Sequence, residues 1–182
     1  MNILKYKEVE YNMKQAMINY IKNEIYDEFY TPPIAIYPLL KYIDRNIFKI
    51  VWEPTDFGGS EIVRVLKEHN FEVISSHISN GQNFFEYEPE KYDLIVTNPP
   101  YSLKTEFLRR AYDLGKPFCF LLPITTLEGR ERGELFRKYG IQVIVLDRRI
   151  NFSQTKKNVW FNTSWFCWGL NLPKDLIFET VE

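Results

Sequence analysis

Apolar positions along the chain repeat with two periods, which predict alternating strands and helices. Short apolar or β-branched runs occupy residues 48–53, 72–77, 94–97, 117–123, 142–146 and 159–169, as expected of buried strands. Apolar residues three and four positions apart predict helices over about 60–70 and 104–114, and a shorter one that ends near residue 139. Strands and helices that alternate without a repeat or linker predict one α/β sandwich, with a mostly parallel sheet of about seven strands.

The first residues form a separate amphipathic pattern. Helical spacing relates Val9, Met13, Met17, Tyr20 and Ile21, which predicts a helix from about Glu8 to Ile25 with its apolar stripe on the core. We therefore divide the chain into an N-terminal helical extension, residues 1–28, and one domain, residues 29–182. Thr31 precedes two prolines and is predicted to cap the next helix.

A buried strand leads directly into Asn98, Pro99, Pro100 and Tyr101. The prolines prevent both a continued ladder and an immediate helix, so the chain leaves the sheet at its carboxyl edge, where open α/β sheets bind ligands. The side-chain carbonyl of Asn98 and the main-chain carbonyl of Pro99 are two acceptors that suit an exocyclic amine. Tyr101 can stack on the ring that carries the amine. The segment therefore predicts recognition of a flat, amine-bearing ring.

The first predicted strand ends in a second candidate ligand-binding segment. Glu53 and Pro54 close the strand, and Gly58 and Gly59 follow before the next helix. A strand, a glycine turn and a helix form the unit that binds cofactors in doubly wound sheets. Glycine suits the turn because the backbone must approach the ligand closely and take a positive φ. We expect a cofactor to bind at this loop.

Together these segments resemble the signatures of amino methyltransferases that transfer a methyl group from S-adenosylmethionine to adenine in DNA or RNA. The resemblance covers about residues 29–170 and implies a class I, Rossmann-like methyltransferase fold. It implies that an adenine is flipped out of its stack and held by the catalytic residues Asn98, Pro99, Pro100 and Tyr101. It also implies a cofactor site at Thr31, Glu53, Pro54, Gly58, Gly59, His77 and Asn83.

Three of the cofactor positions depart from the pattern that the resemblance implies. Phe57 stands in the place of the first glycine and is expected to crowd the methionine pocket. The carboxylate that accepts both ribose hydroxyls is replaced by His77 or Ser76, and a neutral histidine has only one acceptor nitrogen. Asn83 replaces an aspartate, which is a milder change because the amide still accepts one hydrogen bond. We therefore expect S-adenosylmethionine to bind weakly or not at all.

Charge is divided unevenly along the chain, although the net charge is only −1. Residues 1–100 carry 10 Lys and Arg against 15 Asp and Glu, whereas residues 101–182 carry 13 against 9. The positive excess follows the Asn-Pro-Pro-Tyr segment, and it is either a solvated surface or a phosphate-binding one. Expected nucleic-acid contacts are Lys104, Arg109, Arg130, Arg132, Arg148, Arg149, Lys156 and Lys157, with DNA favoured over RNA.

Several classes of protein are disfavoured by composition. No run of about 18 apolar residues predicts a membrane span, and the N-terminus lacks a signal-peptide pattern. Cys119 and Cys167 have apolar neighbours and no metal-ligand spacing, so we expect reduced core residues and no metal site. These features favour a cytoplasmic protein.

Two functions remain open, and a third possibility is that the resemblance is a coincidence. In the first, the protein is an adenine methyltransferase whose catalysis depends mainly on the positioning of the reacting groups. In the second, it is a catalytically inactive protein of this fold that binds DNA or a protein partner. Its small size resembles divergent phage-borne methyltransferases, so a counter-defence (anti-CRISPR-type) inhibitor of a CRISPR effector nuclease is one such function. The third possibility is an unrelated α/β domain.

Overall fold

A computed structural model describes residues 31–152 and 161–182 of the chain. Its strands are β1 (Ile50–Glu53), β2 (Glu72–Ser75), β3 (Leu94–Thr97), β4 (Phe118–Pro123), β5 (Gln142–Leu146), β6 (Thr163–Trp168) and β7 (Leu176–Glu179). Its helices are α1 (Tyr37–Leu40), α2 (Glu61–Glu68), α3 (Lys104–Leu114) and α4 (Arg130–Tyr139). Short 3₁₀ helices occupy Pro33–Ala35, Ile78–Asn80, Tyr101–Leu103 and Ile124–Leu127. The predicted N-terminal helix, Lys156 and Lys157 lie outside the described residues.

The seven strands form one sheet in the order β2-β1-β3-β4-β6-β5-β7. Within it, β6 runs antiparallel to β4 and β5, and the other neighbouring pairs are parallel. The predicted fold class, a single Rossmann-like α/β sandwich with a mostly parallel seven-stranded sheet, is confirmed. The direction of winding reverses between β1 and β3, because β2 lies on one side of β1 and the later strands on the other. A crevice for ligands is expected at such a switch point.

Several elements begin and end where the hydrophobic pattern predicts them. This holds for β3, β5 and α3. Thr31 is not a helix cap, since the 3₁₀ helix after it is preceded by Pro32 and has no side-chain cap. The hydrophobic pattern predicts no strand after residue 169, yet Leu176–Glu179 forms β7 at the sheet edge. No helix in residues 31–152 or 161–182 is long and apolar enough to cross a membrane.

Helices cover both faces of the sheet, which gives two apolar layers. On one face, residues 35–43 and α2 pack against side chains that include Val51, Leu121 and Trp165. On the other face, α3 and α4 cover an aromatic layer that includes Trp52 and Phe120. Successive strand residues alternate between these layers, as the period of a strand requires. The hydrophobic core is thus built on both sides of β1, β3 and β4.

The strand β6 contributes residues that join the centre of the core. Trp165 is fully buried, and its indole N–H donates to the main-chain carbonyl of Ala35 at 2.7 Å. Cys167 lies opposite Cys119 in the β4–β6 ladder. Both cysteines are buried and free, so the prediction that they are reduced core residues is confirmed.

A polar cluster fastens the edge strand β7 to the segment after α1. The Glu179 carboxylate accepts hydrogen bonds from the Lys41 ammonium, at 2.6 Å, and from the Tyr42 hydroxyl. The contacts from Lys41 and Tyr42 lower the pKa of Glu179. The hydrogen bond to Glu179 raises the pKa of Tyr42 to about 12. Ionised Glu179 is therefore the form that fits the folded protein.

Replacing Glu179 by glutamine should lower the free energy of unfolding by about 1 kcal/mol at neutral pH. A carboxyl whose pKa is depressed by folding stabilises the protein above its unfolded value and loses that effect as the pH falls through the folded value. The difference between wild type and Glu179→Gln should therefore vanish in acid, as measured by urea unfolding over a pH series. Glu72→Gln, an exposed change on the opposite edge strand, should show no such trend, and equal trends would contradict the assignment.

Candidate functional site

The loops that follow β1, β2 and β3 meet at the switch point of the sheet. Pro54, Thr55, His77, Asn83 and Pro100 line one cleft there. Its remaining walls are apolar or aromatic, from Ile78, Phe84, Phe85, Leu103 and Phe107. The enclosed volume is about 30 Å³, which suits one or two water molecules. A larger ligand has to occupy the open part of the cleft.

Glu53 is the centre of a hydrogen-bond network beneath this cleft. Its side chain is 2% exposed, and Oε1 accepts from the Thr55 main-chain N–H at 3.0 Å and from its hydroxyl at 2.9 Å. The Thr97 hydroxyl donates to the same oxygen at 2.6 Å, and the Ser60 hydroxyl donates to Oε2 at 3.0 Å. Both carboxyl oxygens are thus engaged by the chain itself. The predicted contact of Glu53 with a cofactor stays a prediction.

Two opposing effects act on the Glu53 carboxyl. Burial raises its pKa above the usual value, and the hydrogen bonds from Thr97, Thr55 and Ser60 lower it. Burial is the larger effect, and the net pKa is raised. This agrees with the high cost of placing an isolated carboxylate in an apolar environment.

The loop between β1 and α2 has the glycine geometry that the sequence predicts. Gly58 and Gly59 have φ values of 115° and 88°, which side chains disfavour. The Asp56 carboxylate accepts from the main-chain N–H groups of Gly58, at 2.8 Å, and Ser60, at 3.2 Å, and so fixes the turn. The Phe57 ring is 44% exposed and lies 5.5 Å from the His77 ring. Phe57 therefore stands at the rim of the cleft.

Ser76 and His77 follow β2, and each already accepts a hydrogen bond from within the protein. The Ser76 hydroxyl accepts from the Trp52 indole N–H at 2.8 Å. The Nδ1 atom of His77 accepts from the Ser79 main-chain N–H at 3.1 Å and contacts the Ser79 hydroxyl at 2.7 Å. Because Nδ1 accepts a main-chain proton, the neutral ring carries its own proton on Nε2. Neither residue supplies a carboxylate for a ribose.

Two other predicted cofactor residues are buried. Asn83 lines the cleft and is 6% exposed, and its Oδ1 accepts from the Phe85 main-chain N–H at 3.2 Å. Its amide therefore shapes the turn into the aromatic wall. Thr31 is also 6% exposed but is not among the residues that line the cleft.

The Asn-Pro-Pro-Tyr segment leaves the sheet beside the cleft. Asn98 is half-buried, and both prolines are buried. Pro100 is extended and is followed by the 3₁₀ helix that starts at Tyr101. The Tyr101 ring is 7% exposed and packs edge-on against Phe161, with 5.5 Å between centroids. The Lys104 ammonium donates to the Tyr101 carbonyl at 2.9 Å, which fixes the start of α3 to the segment.

Some of the predicted phosphate contacts are engaged within the protein. The Arg132 guanidinium donates to the Thr126 carbonyl at 2.8 Å, to the Thr105 hydroxyl at 2.9 Å and to the Glu128 carbonyl. Arg132 therefore joins α3 to the loop before α4. Arg109 pairs with Glu131 at 3.1 Å.

The more exposed basic residues lie beyond the carboxyl ends of the strands. Arg130, which follows β4, is 92% exposed at its side chain and lies 3.4 Å from Glu134. Arg148 and Arg149 follow β5 and are exposed, and Arg148 lies 3.8 Å from Asp147. Since β4 and β5 run in the same direction, these residues share an edge of the sheet with the Asn-Pro-Pro-Tyr segment. A role in binding phosphate stays a prediction.

The hydroxyl groups that surround Glu53 were not predicted from the sequence. Thr55, Ser60 and Thr97 are separated by up to 42 positions along the chain, so the local pattern gives no sign of the cluster. A signal was nevertheless present, because a glutamate at the end of a buried strand requires hydrogen-bond donors.

Comparisons with known proteins give structural likenesses only. No family model matches the sequence, and no curated protein matches it significantly. A modification subunit of a proposed type I restriction enzyme from Vibrio vulnificus YJ016 is 11% identical, with a TM-score of 0.48; the match covers 92% of this chain and 50% of that one. This chain therefore spans half the length of that subunit.

Two further solved structures are similar. A proposed class I S-adenosylmethionine-dependent methyltransferase from Listeria monocytogenes is 11% identical, with a TM-score of 0.49 and coverage of 96% and 73% of the two chains. A proposed methyltransferase from Thermoplasma acidophilum is 11% identical, with a TM-score of 0.33 and coverage of 74% and 71%. Because all three TM-scores are below 0.5, these likenesses do not support a function. The interpretation of the site therefore rests on its own geometry.

Proposed function

We propose that the chain is a methyltransferase-like protein that holds an adenine of a nucleic acid at Asn98, Pro99, Pro100 and Tyr101. The observation that carries this proposal is the position of the segment. It follows β3 directly at the switch point of the sheet, beside the cleft that Pro100 helps to line. Ligands of doubly wound folds bind in this crevice.

The chemistry of the segment suits the amine edge of adenine. The Asn98 side-chain carbonyl and the Pro99 main-chain carbonyl accept the two amine hydrogens, and the Asn98 amide can donate to a ring nitrogen. The fixed φ of the consecutive prolines restricts the direction of the Pro99 carbonyl, which lowers the ordering cost of binding for that acceptor. Tyr101 supplies an aromatic face or edge for the base.

The residues around the cleft do not fit S-adenosylmethionine in the way that the resemblance implies. The resemblance implies a carboxylate for the ribose hydroxyls, but the chain has Ser76 and His77 there, whose acceptor atoms bond to Trp52 and Ser79. Phe57 replaces a glycine and lies against His77 at the rim. We therefore expect weak binding of this cofactor or none, and we derive no chemical step through it.

Nucleic acid is the partner that the exposed charge favours. Arg130, Arg148 and Arg149 lie at the edge of the sheet from which the Asn-Pro-Pro-Tyr segment projects. Phosphate contacts position a nucleic acid, whereas base contacts identify it. The basic residues would thus bring a strand to the edge, and Asn98 would select adenine.

Exchange of His77 tests the account of the cofactor site. Wild type should bind S-adenosylmethionine weakly or not at all, and His77→Asp should bind it more tightly by about 1.5–3 kcal/mol, or one to two decades. Aspartate can also accept the Ser79 N–H, because it is a good cap. His77→Asn has nearly the same shape and no charge, so calorimetry should show little gain for it. Equal affinities for both variants would contradict a missing ribose carboxylate.

Methyl transfer to the held amine is the second candidate, because Thr55, in the loop after β1, lines the same cleft as Pro100. A dissociation constant of wild type for S-adenosylmethionine in the low micromolar range would support it and overturn the expectation of weak binding. Inhibition of a CRISPR effector nuclease stays a prediction from the resemblance.

A further inference from the structure

The carboxyl group of Glu53 lies in a triangle of oxygen atoms that contains too few hydroxyl hydrogens. Its Oε1 atom is 2.9 Å from the Thr55 hydroxyl and 2.6 Å from the Thr97 hydroxyl. The two hydroxyl oxygens are 2.7 Å apart. All three separations are hydrogen-bond distances between oxygens.

A count of hydrogens shows what the triangle requires. Three contacts need three hydrogens, whereas two hydroxyls supply two. If Thr55 and Thr97 both donate to an ionised carboxylate, their own oxygens face each other at 2.7 Å without a hydrogen between them. A hydrogen on the carboxyl completes the set. The other two contacts of Glu53, from the Thr55 N–H and the Ser60 hydroxyl, already have a hydrogen each.

The ion pairs in the described part of the chain do not include Glu53. On the loop after β1, Asp56 is acidic and bonds to main-chain N–H groups. On α2, Glu61 pairs with Arg64. After β2, His77 is held through Nδ1 by Ser79, and the partner that β3 supplies, Thr97, is uncharged.

We propose that Glu53 is a protonated, neutral carboxyl in the folded protein, and that in this form it joins the loop after β1 to the end of β3. Thr97 directly precedes Asn98, and Thr55 lines the cleft. Glu53 is therefore a positioning residue for both sides of the crevice. The inference does not rest on the proposed function, because it concerns a protonation state that can be measured without any ligand.

The direction of the pH dependence follows from the raised pKa of Glu53, whose usual value is 4.5. Below that value the carboxyl is protonated in both the folded and the unfolded chain. Between that value and the folded-state pKa, the unfolded chain releases a proton that the folded chain keeps. Stability relative to a neutral isostere then falls as the pH rises, and above the folded pKa the difference is constant.

Glu53→Gln tests this inference, since glutamine keeps one acceptor and stays neutral. The unfolding equilibrium constant of wild type, divided by that of Glu53→Gln, should rise about tenfold per pH unit through this window and then level off. Urea unfolding at pH values from about 4 to 9 would measure it. The control is Glu61→Gln, a change to the ion-paired glutamate eight positions further along the chain. The unfolding constant of wild type divided by that of Glu61→Gln should not change over this pH range.

A second measurement does not need the variant to fold. Carbon-13 NMR of wild type labelled at glutamate carboxyls should show one resonance that keeps its protonated position at neutral pH, while the others move to their ionised positions. Assignment of that resonance to Glu53 would support the inference. A set of resonances that all titrate near the usual value would overturn it, as would a ratio of the wild-type to Glu53→Gln unfolding constants that does not change over the pH series.

Discussion

Replacing Asn98 by alanine should remove most of the preference of the protein for adenine over purine, the same base without its exocyclic amine. In wild type the Asn98 and Pro99 carbonyls would hold that amine, and a paired amide contact to a base provides about 1–3 kcal/mol of discrimination, roughly five- to 150-fold. The measurement is a competition between two oligonucleotides that differ only by this base at one position. Asn98 is half-buried at the end of a strand, so its loss should cost little stability.

Two controls separate base recognition from general binding. Tyr101→Leu should weaken binding of adenine and purine alike, by about 1–3 kcal/mol, because stacking does not depend on the amine. The double change Arg148→Glu and Arg149→Glu should lower affinity for every sequence and reduce the log–log salt slope by about 2. If Asn98→Ala keeps the preference for adenine, or if it lowers the melting temperature in step with binding, the segment is structural and the proposed function is wrong.

Trp165→Ala should cost about 3–5 kcal/mol of unfolding free energy, which lowers the melting temperature by about 6–20 °C. The side chain is fully buried, and its removal leaves a cavity next to the Ala35 carbonyl, which would also lose its hydrogen bond. Thermal and urea unfolding would measure the loss.

The matched control is Trp168→Ala on the same strand. Its indole N–H also donates to a main-chain carbonyl, that of Tyr139, at 2.8 Å, but the side chain is only partly buried. The hydrogen-bond term is therefore similar in the two variants, and burial is the main difference between them. The loss at Trp168 should be clearly smaller, and losses of equal size would show that the core does not centre on Trp165.

The strands with a continuous apolar run were predictable from the sequence. β3 and β5 are buried on both faces or nearly so, and such strands carry their signal in composition alone. β7 was not predictable in this way, because it is a four-residue edge strand with Leu176 and Phe178 exposed. It is placed by its ladder with β5 and by the contact of Glu179 with Lys41, 138 positions away, and no local pattern contains these pairings.

The candidate site was predictable to the same limited degree. The Asn-Pro-Pro-Tyr segment follows a strong strand, so its place at the carboxyl edge could be derived from chain direction. The hydrogen-bond partners of the individual side chains could not be derived in this way. The contact of Glu53 with a cofactor stays a prediction, and the sequence contains no sign that its oxygens bond to Thr55, Ser60 and Thr97. The hydrogen bond from Ser79 to the His77 Nδ1 was equally hidden. Hydrogen-bond partners brought together by the fold decide which atoms a site can offer.

The place of β6 in the sheet has a consequence for synthesis of the protein on the ribosome. β1 to β4 form one continuous part of the sheet, in the order β2-β1-β3-β4, so that half can assemble while the rest of the chain is still being translated. β5 has no partner among those strands; it pairs with β6 and β7, which are made later. An apolar strand and one open edge of β4 therefore stay uncovered until residues 163–168 have emerged, and this interval is when the nascent chain is most exposed to aggregation and to chaperones.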